Sequence, residues 1–144
     1  MGNIIILTSP EAWEIGSIAK ENLIKVDKEG SICIVNSFGY LIFQFNMDYI
    51  RPMTVDIALA KARQAAKTGK RTSTFRDDVR NGLINLGALG IAERDFVPWA
   101  GGAPIYNKSG ILLGGGGISN LKQEEDEYYI ITAIEKSGFL SEKP

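Results

Sequence analysis

Four consecutive glycines, Gly114–Gly117, constrain the fold of this chain more than any other feature. They follow the apolar run Ile111–Leu113 and precede Ile118 and Ser119, so the whole stretch is typical of one continuous return strand. A strand without side chains is favoured where another part of the structure approaches its backbone closely. Two interpretations follow. Either another element of the fold packs closely against the glycines, or the glycines form the floor of a ligand pocket.

The glycine run does not match a nucleotide-binding loop. Ser119 stands where the spacing Gly-x-Gly-x-x-Gly requires its last glycine, and no Gly-Lys-Ser/Thr sequence follows. The acidic run Glu124–Glu127 at the start of the next predicted helix would also repel an anion. These acids suit the positive end of a helix dipole, and they lack the spaced oxygen ligands of a calcium loop.

Hydrophobic periodicity predicts a single domain over residues 1–144, of the α+β class, with an antiparallel sheet flanked by helices. Thr8 and Glu11 predict a capping box at the first helix, and Gly30 is predicted to be its left-handed C-terminal residue. The helix 54–67 carries five small side chains, which allow close packing against a sheet or a helix. The predicted helices are 8–29, 54–67, 74–86 and 121–136, and the strands are 31–36, 40–45, 101–106 and the return strand 111–119, within an element order α-β-β-α-α-β-β-β-α that counts five strands.

Composition excludes several kinds of chemistry. The chain has no histidine, which removes Ser-His-Asp and Cys-His catalysis, histidine-based metal sites and the usual proximal haem ligand. No metal site is predicted. The single cysteine, Cys33, lies in an apolar run and is interpreted as a small buried hydrophobe. Neither a membrane span nor a signal peptide is evident, the segment Met1–Leu7 being short and without basic residues. A cytoplasmic protein is therefore predicted.

Basic residues gather in one part of the sequence. The net charge of −1 and the scarcity of nearby aromatic residues argue against nucleic-acid binding. The cluster is either a solvated helix face or a rim that binds anions such as substrate carboxylates. Its members are Lys61, Arg63, Lys67, Lys70, Arg71, Arg76 and Arg80.

Asp56 and Lys61 are the candidate catalytic pair. They stand five residues apart on one predicted helix, a spacing that does not place them neatly on one face. If Lys61 is buried, its amine could act as a nucleophile or as an electrostatic anchor, with Asp56 as a base and Arg63 or Arg71 as a carboxylate clamp. Purely structural roles for both residues remain an alternative.

Four motifs in register resemble the GlcG/HbpS family (DUF336), over roughly residues 7–138. Ile32–Leu41 followed by Met47-Asp48 resembles the family's hairpin, and Val55–Ala65 its Asp-Ile-Ala-x-x-Lys-Ala helix. Gly101–Ile105 resembles the motif Gly-Gly-x-Pro-Ile. Gly114–Ser119 with Asp126 resembles the closing motif.

The resemblance implies a profilin-like, three-layer α/β/α fold with a five-stranded antiparallel sheet, and homo-oligomers. It implies a ligand near Gly101–Ile105, the Asp56/Lys61 helix and the glycine-rich strand, with haem or a corrinoid as possible cofactors. The ligand-binding residues it indicates are Gly101, Gly102, Ala103, Pro104, Gly115, Gly116, Gly117, Ser119 and Arg63.

Three departures from the family pattern accompany the resemblance: Asn36 replaces an acid, Asn46 an arginine and Asn120 a common glycine. Without histidine, haem iron would need another ligand. The side chains available for this are Met47, Met53, Cys33, Tyr40, Tyr49 and Tyr106.

Three functions fit the sequence. The first is an oligomeric module that binds a small molecule or tetrapyrrole, accessory to glycolate, diol or cofactor metabolism as the resemblance implies. The second is an enzyme that acts on a small carboxylate or carbonyl compound through Lys61 and Asp56. The third is a structural or partner-binding subunit.

Overall fold

The structure is a computed structural model that describes residues 4–144, so the first three residues of the segment Met1–Leu7 lie outside it. The four helices and four strands follow the order α-β-β-α-α-β-β-α, and a long connection between α3 and β3 contains two single 3₁₀ turns. The elements are α1 (Ser9–Lys25), β1 (Ser31–Asn36), β2 (Leu41–Asn46), α2 (Pro52–Thr68), α3 (Thr72–Arg80), β3 (Gly102–Tyr106), β4 (Leu112–Ser119) and α4 (Gln123–Lys136).

The strands form one antiparallel sheet in the order β2-β1-β4-β3. All six residues of β1 are buried, as expected for a nearly continuous apolar run at the centre of a sheet. The four glycines Gly114–Gly117 pair with β1 on one side, and on the other side they pair with the segment Gly102–Ile105 of β3.

Helices cover both faces of this sheet, which gives the three layers that the sequence predicted. On one face α1 and α4 pack against each other and enclose a core of larger aliphatic side chains such as Ile32, Ile34 and Ile130. On the other face α2 lies across β1, β4 and β3 and packs through alanines. The two faces therefore differ in thickness, because α2 approaches the strands much more closely.

Several sequence-based boundaries are wrong for local reasons. The described sheet has four strands where five were expected, because the single return strand β4 (Leu112–Ser119) accounts for the whole stretch 111–119. The helix predicted over 74–86 ends at Arg80, because Gly82 adopts a φ of +75° that breaks helical geometry. Helix α1 ends at Lys25, and Asp27 with a φ of +56° takes the left-handed conformation expected of Gly30.

The start of α1 confirms the capping box. The Glu11 amide donates to the Thr8 hydroxyl oxygen at 3.3 Å, and the Thr8 amide donates to the Glu11 carboxylate at 2.9 Å. Between residues 4 and 144 no helix combines the length and hydropathy that crossing a lipid bilayer requires.

Candidate functional site

The glycine run of β4 is filled by helix α2. A Cβ atom built on Gly115 would lie 2.4 Å from the Ala62 carbonyl oxygen, and one on Gly117 would lie 2.3 Å from the Ala58 carbonyl oxygen. Gly116 faces the other layer, where its Cβ would meet the Ile130 side chain at 2.6 Å. Of the two interpretations of the glycine run, close packing is therefore correct and a pocket floor at Gly115–Gly117 is wrong, because the helix backbone itself occupies that space.

The segment before β3 is closely packed in the same way. A Cβ on Gly102 would lie 2.5 Å from the Lys61 carbonyl oxygen, and one on Gly101 would lie 2.7 Å from the Lys61 Nζ atom. Gly101 also has a φ of +125°, a conformation that favours glycine. Ala103 and Pro104 are buried in the sheet. The two glycines of this motif therefore allow α2, and Lys61 in particular, to lie directly against the start of β3.

Lys61 is a buried amine held by two acceptors. Its Nζ atom donates to the Ile118 carbonyl oxygen at 3.0 Å and to the Asp126 carboxylate at 3.1 Å. Both charged side chains are only 3% exposed. The second carboxylate oxygen of Asp126 accepts from the Leu121 amide at 3.1 Å. This buried ion pair fastens α2 to the end of β4 and to the first turn of α4.

Burial favours the neutral form of both Lys61 and Asp126, and it therefore shifts their pKa values in opposite directions. It lowers the pKa of Lys61, against the opposing effect of the Asp126 charge. It raises the pKa of Asp126 to about 6, and the Lys61 charge and the Leu121 amide oppose this shift. The pKa values of the amine and the carboxylate are therefore shifted toward each other, while the attraction between the two charges opposes both shifts.

The stability of the protein should depend on pH through Asp126. The ordinary pKa of this carboxyl is 3.8, whereas the native value is about 6. Between these values the native state binds more protons than the unfolded state, so the free energy of unfolding should decrease as the pH rises through this interval. Urea denaturation at several pH values measures the slope. An Asp126→Asn variant should show a flatter profile, and an unchanged profile would contradict the assignment.

Asp56 and Lys61 do not form the expected pair. Lys61 is buried, whereas Asp56 is exposed on another side of α2 and lines an open groove. The groove runs between α2 and the segment 90–97 and has a volume of about 500 Å³. Leu59, Ile91 and Val97 provide apolar wall area in it. Its charged lining residues are Asp56, Arg63, Lys67, Arg94 and Asp95.

A second hollow of about 530 Å³ adjoins this groove and shares Arg63 and Lys67 with it. Its other wall is the β1–β2 hairpin with the exposed rings of Phe38 and Tyr40. The Arg63 Nε atom donates to the Gly39 carbonyl oxygen at 3.0 Å, which fixes the guanidinium between the two hollows. We call these two adjoining hollows the α2 groove.

A separate cavity of about 300 Å³ adjoins the buried ion pair. Its lining includes Lys61, Asp126, Ser119 and the half-exposed indole of Trp99. We call this space the Lys61 cavity. The structure therefore divides the expected site residues between two places on α2.

The remaining members of the basic cluster mostly have acidic or polar partners. Lys70 pairs with Asp78 at 2.7 Å, and the Arg71 guanidinium donates to the Ser141 hydroxyl at 2.8 Å. Arg76 donates to the Gln123 side-chain oxygen at 3.0 Å. Only part of the cluster, Arg63 and Lys67, thus lines the α2 groove.

The sequence of residues 7–135 matches the family model described as "Haem degrading protein HbpS-like". The chain belongs to the HbpS-like family. This confirms the resemblance that the four motifs indicated. No curated protein sequence matches the chain significantly.

Solved structures share the fold of this HbpS-like chain at low sequence identity. PduOC in its heme complex is 23% identical with a TM-score of 0.83, and the alignment covers 96% of this chain and 100% of that one. The protein ORFY from Klebsiella pneumoniae is 18% identical with a TM-score of 0.82, covering 95% and 94%. A double mutant of HbpS from Streptomyces reticuli is 22% identical with a TM-score of 0.79, covering 94% and 90%.

Two departures of this HbpS-like chain from the family pattern have local structural roles. Asn36 Oδ1 accepts hydrogen bonds from the Phe38 and Tyr40 amides at 3.0 and 3.1 Å and so closes the hairpin. Asn120 has a φ of +105°, which explains why glycine is common there. Its side-chain amide donates to the Glu29 carbonyl oxygen at 2.9 Å.

Proposed function

We propose that this chain is a binding module for a carboxylate-bearing small molecule with an apolar body, of the tetrapyrrole class, and that the ligand occupies the α2 groove. The observation that carries the proposal is the position of Arg63 and Lys67. Both side chains are exposed and are shared by two hollows, whose remaining lining combines apolar and aromatic side chains with the charged residues Asp56, Arg94 and Asp95. In such a site the carboxylates of the ligand contact cationic side chains, and the apolar body of the ligand packs against the apolar walls.

The floor of the α2 groove is rigid on the side of the segment 90–97. The Gln64 side chain is buried and makes two hydrogen bonds to Val97, accepting from its amide at 2.7 Å and donating to its carbonyl oxygen at 3.0 Å. Leu59 and Ile91 stand beside this contact. A ligand would therefore meet a preformed apolar wall, which limits the ordering cost of binding.

Haem iron itself does not fit this groove. Its lining residues include no histidine, cysteine or methionine, and Tyr40 alone supplies a phenol at the hairpin end. Elsewhere, Cys33 is fully buried and burial raises the pKa of its thiol to about 11. The Tyr106 hydroxyl is buried and donates to the Gly69 carbonyl oxygen. We therefore propose that the protein recognises the carboxylates and the apolar faces of the ligand, and that it does not coordinate an iron atom.

Support for this ligand class also comes from the relatives. The family is described as haem-degrading, and PduOC was solved as a heme complex. Since this chain lacks histidine, we propose that it keeps the affinity for the organic part of such a ligand. No degradation step is assigned to its residues.

Absorption titrations with haem and with metal-free protoporphyrin test the proposal. We expect both compounds to bind with similar affinity, because the iron contributes no ligand bond. The double variant Arg63→Ala/Lys67→Ala should raise both dissociation constants about tenfold, the effect of roughly 1.4 kcal/mol from two exposed ion pairs. The dimethyl ester of protoporphyrin should bind as weakly to the native chain as protoporphyrin does to the variant.

The matched control is Lys20→Ala/Lys25→Ala, which removes two positive charges from α1, on the other side of the sheet. It should leave both dissociation constants unchanged. Failure of either porphyrin to bind, or equal binding by the native chain and the Arg63/Lys67 variant, would contradict the assignment.

A further inference from the structure

The Lys61 cavity has features that the α2 groove lacks. Its innermost group is a primary amine that is almost completely buried and paired with a carboxylate, Asp126. The Ser119 hydroxyl belongs to the lining of the same cavity. A buried charged amine is costly unless it is paired and hydrogen-bonded, and here the Asp126 carboxylate and the Ile118 carbonyl oxygen are its partners. Both members of the ion pair line the hollow, so a small molecule within it would contact them.

We propose that Lys61 forms a Schiff base with a small, uncharged aldehyde or ketone that enters the Lys61 cavity, with Asp126 as the proton carrier. This covalent site is distinct from the α2 groove and does not depend on what binds there.

The reaction balances with the groups present. Proton transfer from the Lys61 ammonium to Asp126 leaves a neutral amine, whose nitrogen attacks the carbonyl carbon. The Asp126 acid returns its proton to the developing alkoxide, and the carbinolamine forms when nitrogen loses a proton to the same carboxylate. Asp126 then protonates the hydroxyl group, the carbon–oxygen bond breaks and water leaves. The product is a protonated imine beside the Asp126 carboxylate, so the buried charge pair is restored.

The cavity's geometry favours this sequence of steps. Its lining carries no cation besides Lys61, so an anionic substrate would find no second positive partner there. Ile57 and Trp99 provide apolar walls in this hollow of about 300 Å³, and the buried position of Lys61 favours a small compound that can reach its amine. Ser119 lines the same cavity, and we propose its hydroxyl as the group that contacts the carbonyl oxygen or the carbinolamine. Burial also lowers the pKa of Lys61, which increases the fraction of neutral amine.

Reductive trapping on the full chain tests the proposal directly. The protein is incubated at pH 7 with butanal and cyanoborohydride, digested, and mapped by peptide mass spectrometry. We expect the alkylated lysine to be Lys61, with an occupancy higher than that of exposed lysines such as Lys20 and Lys67 in the same sample. This internal comparison requires no variant, so it does not depend on the folding of an altered protein.

Two variants examine the assigned roles. Asp126→Asn keeps the shape of the side chain and removes the proton carrier, so trapping at Lys61 should slow about a hundredfold while the exposed lysines react as before. Ser119→Ala should slow trapping less. Modification of exposed lysines without Lys61, or no effect of Asp126→Asn on the Lys61 rate, would overturn the proposal. Since the porphyrin titrations do not involve Lys61, the two proposals fail separately.

Discussion

Replacing Lys61 by methionine should lower the free energy of unfolding by about 3–5 kcal/mol at pH 7, because it leaves the buried Asp126 carboxylate without its cation. The Asp126 pKa should then rise further above 6, since the Lys61 charge is what opposes the effect of burial. Urea denaturation measures the first effect, and carboxyl NMR titration measures the second. An effect of this size is a large part of the stability of a small domain.

The double variant Lys61→Met/Asp126→Leu provides the decisive comparison. Apolar side chains of similar volume can replace a buried ion pair at little cost, so most of the lost stability should return. A surface control is Lys70→Met, because Lys70 and Asp78 form an ion pair whose lysine side chain is 43% exposed. That variant should cost less than about 1 kcal/mol. Equal losses for Lys61→Met and Lys70→Met would contradict the buried position of Lys61.

The second large effect should come from Gly117→Ala. The new Cβ would lie 2.3 Å from the Ala58 carbonyl oxygen and 2.8 Å from the Ala62 amide nitrogen, both atoms of the α2 backbone. Because no side chain can rotate away, the whole helix must move. We expect a loss of about 3 kcal/mol, at the upper end of the cost of overpacking a core. Thermal and urea unfolding both measure this loss.

Gly87→Ala is the matched control for the glycine strand. Gly87 lies in an exposed 3₁₀ turn without a positive φ, and its nearest neighbour would be the Asn85 side-chain oxygen at 3.3 Å. This flexible side chain can shift, so the change should stay within about 0.5 kcal/mol. If Gly117→Ala were equally mild, α2 could not lie against β4 as described.

Much of the fold follows from local sequence signals. The apolar run 31–36, the capping residues Thr8 and Glu11, and the alanines of α2 gave correct elements, because each signal acts within a few residues. The continuous return strand through Gly114–Gly117 is also correct, whereas the number of strands is not, since glycines carry no alternating pattern and are held in β4 by its neighbours β1 and β3. The choice between a packed helix and a ligand pocket depended on tertiary contacts that periodicity does not encode.

The partner of Lys61 is predictable from the positions of charged residues on the buried faces of the helices. Lys61 occupies the same buried stripe of α2 as Ala58, Ala62 and Ala65, and Asp126 occupies the buried stripe of α4 with Ile130. A lone cation and a lone acid on two apolar stripes indicate a buried pair, since each is costly without the other. Sequence proximity had instead suggested Asp56, which faces away.

The Gln64 contact with Val97 also determines where the chain can change length. The segment 81–95 begins at the end of α3 and ends just before this fixed point, so its residues lie outside the two packed cores. Closing a longer loop costs only about 0.6 kcal/mol for each doubling of its length. We therefore expect the core to tolerate insertions between Asn81 and Leu89, which precede the residues that line the α2 groove, and this connection is the natural place for an added peptide or epitope.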